Sequence, residues 1–431
     1  MPLKKVVITG VGAVSPWGVG VVRLMEGLRS GRSAVVNLRS EWEPQVKDLT
    51  CWIGAPVGEP LDPKQVPRTY RRSMGRVAFL AYLAAKEALE RSGIPRAVHG
   101  LKTRATFGAG RMGVSFASTM GSISSLAKFF AAFQRGEMRG LPAGIFFQSM
   151  SHTCAANLAH AFGINGRLLS PNSACASSLQ AIGAGFEMIR DGAQDCMLCG
   201  GAEELHVAVS ASFDLAQASS HHFNDQPTRT PRPFDRDRDG TVCGEGAGAV
   251  ILESEEGALA RGARILAEVI GYATTVDSTH MAQPHSESII ACLNNALGAA
   301  GLPPDAIDYV NAHATGTLQG DQAEAEALRA VFGAGNVPVS GLKGYFGHTL
   351  GASGALELIA CLGMQQGGYL LPTLNLEEPG KGCEGLDHVM AERPTCFERF
   401  AKNNFAFGGV NTVLILKRYA DDGTDDRREN S

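Results

Sequence analysis

Short strand-like runs bounded by glycine alternate with helix-like stretches along most of this chain, and the alternation starts afresh after residue 264. In the first part the strand-like runs are Val6–Gly10, Asp195–Gly201 and Gly244–Glu253. The helix-like stretches are Val77–Arg91, Ser124–Gln134, Ala176–Arg190 and Glu255–Arg261. In the second part strands over Ile265–Tyr272, Ile307–Ala312, Val337–Ser340 and Val413–Arg418 enclose helices over Ser286–Ala300, Gln322–Phe332 and Thr349–Gln366. Such alternation implies α/β layers. The expected organisation is an N-terminal half over 1–256, a C-terminal half over 257–418 and a polar, disordered tail over 419–431. The halves suit a duplication, although residue identities show no internal repeat.

Cys175 stands where an apolar run gives way to the helix Ala176–Arg190, which closes on Asp191-Gly192. Backbone N–H groups at a helix start lack intrahelical partners and attract negative charge. The thiol pKa is therefore expected to fall. Ala174, Ala176 and Ser177 are small and leave room for a substrate. Most free cysteines are simply buried; what separates Cys175 is its downstream company. Asn311–Thr317 and Leu342–His348 each carry a histidine, and Asn403–Asn411 reads as a glycine loop.

The 52 glycines of this 431-residue chain suit a loop-rich enzyme. A net charge of −4 offers no global attraction to nucleic acid or an anionic membrane. No apolar run reaches the roughly 18 residues a membrane span needs. The ten cysteines have no regular spacing and no secretory signal precedes Val6, so a reduced, cytoplasmic location is expected. Cys196 and Cys199 form a CxxC on a strand, where residues three apart point to opposite faces; neither metal nor dithiol chemistry is expected there. Gly10-Val-Gly12 beside a strand hints at a dinucleotide turn. The motif is incomplete and Pro16 interrupts the helix it would need.

His313 and His348 each follow a strand-like run and precede a helix, where α/β proteins place chemistry. Asp321 and Glu324 have the spacing of a helix cap. Lys343 lies among apolar and glycine residues, and a buried ammonium there needs a carboxylate partner. Lys64, Arg68, Arg71 and Arg72 precede the helix Val77–Arg91, where cations oppose the dipole, so an acidic partner is expected to dock on them.

In these stretches the chain resembles a β-ketoacyl-[acyl carrier protein] synthase of the thiolase superfamily, nearest the ketoacyl synthase II type. The motifs that carry the resemblance run in order from Val6 to Arg418. They are Ser173-Ala-Cys175, Gly200-Gly-Ala-Glu203, Arg232-Pro-Phe-Asp235, Asp239-Gly240, Gly244-Glu-Gly-Ala-Gly248, His313-Ala-Thr-Gly-Thr317, Gly320-Asp321, Lys343 with Gly347-His348, and Asn404-Phe-Ala-Phe407-Gly-Gly409. The resemblance implies a five-layer αβαβα thiolase-like fold of two similar halves. It also implies a homodimer, or a heterodimer with a related ketosynthase-like subunit.

By the same resemblance Cys175 takes an acyl chain from the phosphopantetheine of acyl carrier protein, with no cofactor of its own and no metal. The amides of Cys175 and Phe407 form the oxyanion hole. His313 and His348 stabilise the enolate left by decarboxylation of a malonyl thioester, and Lys343 holds them through Glu324. Thr315 and Thr317 contact pantetheine; Phe407, with Gly408 and Gly409, gates the pocket; Met120 and Phe213 limit chain length. Lys64, Arg68, Arg71 and Arg72 become docking residues for the acidic carrier.

Ala314, Gly344 and Ala406 depart from the family's usual pattern while leaving every catalytic group in place, and they point away from housekeeping fatty-acid synthesis. Together with Arg72–Arg76, Tyr345–Ala352 and Asn403–Phe407 they resemble synthases of bacterial aryl polyene pathways. A coenzyme A thiolase would pair one histidine with a second cysteine. A Cys/His hydrolase would leave Lys343 and the paired threonines without a task. The remaining alternative is a non-catalytic chain-length partner of another ketosynthase, and such partners tend to lack the reactive cysteine.

Overall fold

The computed structural model describes residues 3–58, 60–94 and 106–420. The first half contributes strands β1 (Val6–Ser15), β2 (Met112–Ala117), β3 (Leu168–Leu169), β4 (Cys196–Glu203) and β5 (Gly246–Ser254). The second contributes β6 (Ala267–Val276), β7 (Tyr309–Asn311), β8 (Pro338–Ser340), β9 (Arg399–Ala406) and β10 (Val410–Arg418). They lie in the order β3-β2-β4-β5-β1-β6-β10-β9-β7-β8. Counted within its own half, each set runs third, second, fourth, fifth, first. Each has the same senses: two parallel pairings at the outer end, two antiparallel ones inward. The halves meet where Val6–Ile8 pairs antiparallel with Ala267–Val269. The duplication is thus plain in the topology.

The main helices are α1 (Arg76–Arg91), α2 (Ile123–Arg135), α3 (Thr153–Phe162), α4 (Ser177–Arg190), α5 (Ser286–Ala300), α6 (Leu318–Phe332) and α7 (Ser353–Gly367). Three apolar cores fill the four interfaces between five layers, the middle core taking both faces of the central helices. In the first, Cys196, Leu198 and Ile251 face α1 and α3. In the middle core Met197, Cys199, Leu252, Leu414 and Leu416 close on Leu179 and Ile182 of α4 and Leu356 and Ile359 of α7. In the third, Val310, Val413 and Ile415 face Leu293 of α5 and Leu328 of α6. The expected αβαβα arrangement follows. Helices α4 and α7 are covered on both sides, each such buried Leu or Ile contributing about 1.5–3 kcal/mol. Cys196 and Cys199 fall into different cores, as strand alternation requires.

Two stretches expected as turns or loops are strand. Gly10 and Gly12 lie inside β1, which continues to Ser15. A Cβ at Gly12 would come within 2.0 Å of the Ala84 carbonyl, so these glycines let α1 lie directly on the strand. Residues 403–406 belong to β9, and only Phe407–Gly409 turns into β10. Helix α6 begins four residues before the expected Gln322, and the expected helix from Thr349 begins at Ser353 after a tight turn over Leu350–Ala352. No helix among the described residues is long and apolar enough to cross a membrane. Positions 421–431 of the expected tail lie outside the described residues.

Candidate active site

Cys175 sits in a single tight turn, Ala174–Ala176, that feeds α4. His313 follows β7, and His348 follows the short helix Lys343–Phe346 that comes after β8. The two halves bring them together: the Cys175 sulfur and ring nitrogens of both histidines lie within 4.8 Å of one another. The imidazole rings stand 5.3 Å apart, nearly perpendicular. Ala174, Ala314 and Leu350 all have positive φ (45°, 32° and 47°). Each is next to, or two residues past, one of these three side chains. Left-handed backbone at non-glycine residues costs about 1–3 kcal/mol and persists where the surroundings over-determine it.

Hydrogen bonds fix which ring nitrogens carry protons. Asn404 Nδ2 lies 3.1 Å from the Cys175 carbonyl, which only accepts, so this end of the amide is the donor. The same nitrogen approaches His313 Nδ1 at 3.3 Å, which makes Nδ1 an acceptor and leaves the proton on Nε2. His348 Nδ1 likewise accepts from the Leu350 amide at 3.3 Å, and its Nε2 has no partner among the described residues. Both rings are buried, which holds their pKa well below the ordinary imidazole value, and Lys343 adds to the effect. The site therefore presents two neutral imidazoles, each with an Nε2–H to donate.

Lys343 is fully buried. Its ammonium bonds the His313 carbonyl and, at 2.7 Å, Glu357 of α7. The expected link from Lys343 through Glu324 is thereby corrected. Glu324 instead accepts the amides of His313 and Ala314, at 2.9 and 2.8 Å, and orders the loop rather than capping its own helix. Asp321 does the same for Gly316 and Phe234, at 3.1 and 2.7 Å. The sequence offered no sign of Glu357 or Lys402, and Asn404 stood in a motif without a role of its own. All three are fully buried, and Lys402 pairs with the free oxygen of Glu357 at 2.6 Å.

The expected fall in the Cys175 pKa is also reversed. Burial pushes the thiol up to about 12, with Lys343 pulling the other way. The resting sulfur is a thiol in an apolar sheath that includes Val209, Phe213, Cys243, Leu350 and Ala406. Among the described residues no protein acceptor takes the amides of Cys175 or Phe407. A cavity of about 420 Å³ opens from Cys175 past His313 and His348 to Thr315, Thr317 and Gly409. The two threonine hydroxyls are 3.0 Å apart. Phe407 and Phe213 lie side by side at 5.7 Å, and Phe213 also meets the His348 ring.

Met120 does not line this cavity; its side chain is exposed while its amide bonds Glu203. Gly408 does not line it either, but its amide ties the Phe407 turn to the Met281 carbonyl at 2.8 Å. Lys64, Arg68 and Arg72 are exposed and Arg71 half-buried, bonded to the Pro63 carbonyl at 2.5 Å. They lie outside the cavity lining. A sulfur and two imidazoles are also a possible ligand set for a soft metal. Lys343 and Lys402 behind the rings oppose a dication there, and the arrangement is better suited to an anion.

Residues 3–258 match the family described as β-ketoacyl synthase, N-terminal domain, and residues 266–377 match its C-terminal domain. The chain is 34% identical over 430 residues to the 3-oxoacyl-[acyl-carrier-protein] synthase 1 of Escherichia coli K12, covering 97% of this chain and all of that one. Its fold is similar to a β-ketoacyl synthase from Burkholderia phymatum STM815, with a TM-score of 0.91 and 41% identity over 97% of this chain and all of that one. It is also similar to the ishigamide ketosynthase/chain length factor, with a TM-score of 0.87, 30% identity and the same coverage. These matches, which join the Cys–His–His geometry, mean that the chain belongs to the β-ketoacyl synthase family.

Proposed function

We propose that the protein condenses an acyl chain held on Cys175 with a malonyl group delivered by acyl carrier protein, giving a 3-oxoacyl thioester two carbons longer. The observation that carries this reading is the Cys175 sulfur within 4.8 Å of both imidazoles, whose Nδ1 atoms are taken by Asn404 and Leu350. In the first half-reaction the sulfur attacks the acyl thioester carbonyl, and the negative oxygen is held by the Cys175 and Phe407 amides. The carbon–sulfur bond to pantetheine breaks, and the Cys175 proton leaves with the departing thiol. This exchange needs no resting thiolate, in keeping with a buried thiol.

In the second half-reaction the malonyl carboxylate leaves as CO2, and its bonding electrons pass to the thioester oxygen between His313 and His348. The enolate carbon attacks acyl-Cys175, a tetrahedral oxyanion forms in the same amide pair, and the carbon–sulfur bond breaks to release the ketone and a Cys175 thiolate, which takes one proton from solvent to return to the resting thiol. Thr315 and Thr317 hold the pantetheine arm, and Phe407 gates the acyl pocket beside Phe213.

Lys64, Arg68, Arg71 and Arg72 dock the carrier. The exposed aromatic face of Phe130, Phe133, Phe146 and Phe147 supports a dimer, with a second copy or a related ketosynthase-like subunit. All ten cysteines are free, which supports a reduced, cytoplasmic setting. The three departures at 314, 344 and 406 support a specialised product such as an aryl polyene. Mass spectrometry tests the core of the reading. Incubation with an acyl carrier thioester should add the acyl mass to Cys175, Cys175→Ala should abolish the adduct, and Cys175→Gln should still decarboxylate malonyl carrier. An adduct on another cysteine sinks the assignment.

A further inference from the structure

Lys343 and Lys402 are both fully buried against one carboxylate, Glu357. A single ammonium would neutralise it, and an excess buried charge is costly, so the second lysine calls for a physical reason. Lys402 also donates to the Asn403 carbonyl at 2.6 Å, and the Asn403 side-chain amide reaches Glu324 at 3.3 Å. Glu324 accepts the His313 amide, while Lys343 donates to the His313 carbonyl. A run of alternating charge, Lys343, Glu357, Lys402, Glu324, thus grips the N–H and the C=O of one catalytic residue. The residue that follows it, Ala314, is held at φ 32°.

We propose that Lys402 is a positioning residue of the condensing site, closing this clamp on the His313 peptide and setting a second cation against Glu357 behind the imidazole pair. Lys343 from the short helix and Lys402 from β9 act on both rings; Glu357 from α7 pairs with those two ammonium groups, Glu324 from α6 holds the His313 amide, and Glu203 from β4 acts on Cys175 in the turn before α4. Lys402 itself helps to hold both imidazole pKa values down. Without it the balance at the rings moves by one unit toward negative, protonation becomes easier, and the enolate meets a less favourable field. The proposal rests on the condensation reading above.

The test uses the full-length chain and two half-reactions. With Lys402→Met, malonyl-carrier decarboxylation should fall on the order of tenfold, as expected for losing a charge-assisted hydrogen bond. Acylation of Cys175, followed by mass spectrometry, should stay within about twofold. The acid limb of the decarboxylation profile should move to higher pH, because the neutral pair is then lost sooner as pH falls. Methylammonium added to Lys402→Ala should restore part of the decarboxylation. Loss of both half-reactions in proportion to a smaller folded fraction, or no change in either, overturns the proposal. So does failure of both variants to fold with methylammonium present. Absence of any acyl-Cys175 in the unaltered protein is a different failure: it removes the condensation reading first, and this proposal with it.

Discussion

Replacing His348 with alanine separates the two half-reactions. Among the described residues His348 Nε2 has no partner, while its Nδ1 holds the Leu350 amide. On the proposed condensation the substitution therefore removes one of the two donors to the enolate oxygen. Removing a single pre-organised donor of this kind costs roughly 100–1,000-fold in rate. It also frees Leu350, whose φ of 47° is kept in part by that bond, so a stability loss of about 1 kcal/mol accompanies the kinetic one. Acylation of Cys175 uses the backbone amides instead and should survive largely intact. The assay measures CO2 release from malonyl carrier in parallel with the acyl-enzyme mass.

The unaltered protein supplies the pH control. Burial, with Lys343 second, lowers both imidazole pKa values. The neutral rings needed for donation should therefore persist from about pH 8 down through about pH 6, and the decarboxylation rate should show no titration near the ordinary histidine value. The stability linkage has the corresponding sign. Below about pH 6.5 the unfolded chain takes up protons that the folded chain refuses at these positions, so stability declines as pH falls. Two results would refute the reasoning: acylation lost as severely as decarboxylation in His348→Ala, which would make His348 a base for the thiol, or a clear rate midpoint near pH 6.5.

Two further outcomes are expected. At Gly409, φ is 73° and a Cβ would lie 2.0 Å from the Asp277 carbonyl, so Gly409→Ala should displace the Phe407 turn and cut acylation of Cys175 on the order of tenfold or more, while thermal unfolding shifts by only a few degrees; an acylation rate within twofold would exclude a role for that turn. Reversing charge at Arg68 and Arg71 should raise KM for acyl carrier protein and leave small acyl thioesters nearly unaffected, and the difference should shrink with added salt; equal effects on both substrate types would remove the docking surface.

The catalytic side chains were legible because each stands at a junction between local signals. Cys175 precedes a small-residue helix, while His313 and His348 follow strand-like runs, and junctions of this kind are written in neighbouring residues. The same locality explains why α4, α5 and strands β6, β7, β8 and β10 fall close to their expected positions, whereas β9 was read as part of a loop. Glycine was harder to read. Gly10 and Gly12 have the local look of a turn, but they are in a strand because α1, some seventy residues later in the chain, presses its backbone against them. Gly344 is similar: a Cβ there would meet the Leu374 carbonyl at 2.5 Å.

Charge was harder still. Glu357 looks like any helical glutamate and Lys402 like any strand lysine, since nothing beside them announces full burial. Their partners come from α7 and β9, and only packing of the two halves sets one carboxylate between two ammonium groups. The Cys175 thiol follows the same rule. Its place before a helix, read locally, argues for an anion, whereas the apolar sheath assembled from distant residues makes the neutral form prevail. The identity of the reacting atoms and most of the helices were thus set by neighbours in the chain. Protonation, partnership and the allowed backbone were decided by tertiary contact, because desolvation and close approach depend on what the fold brings near.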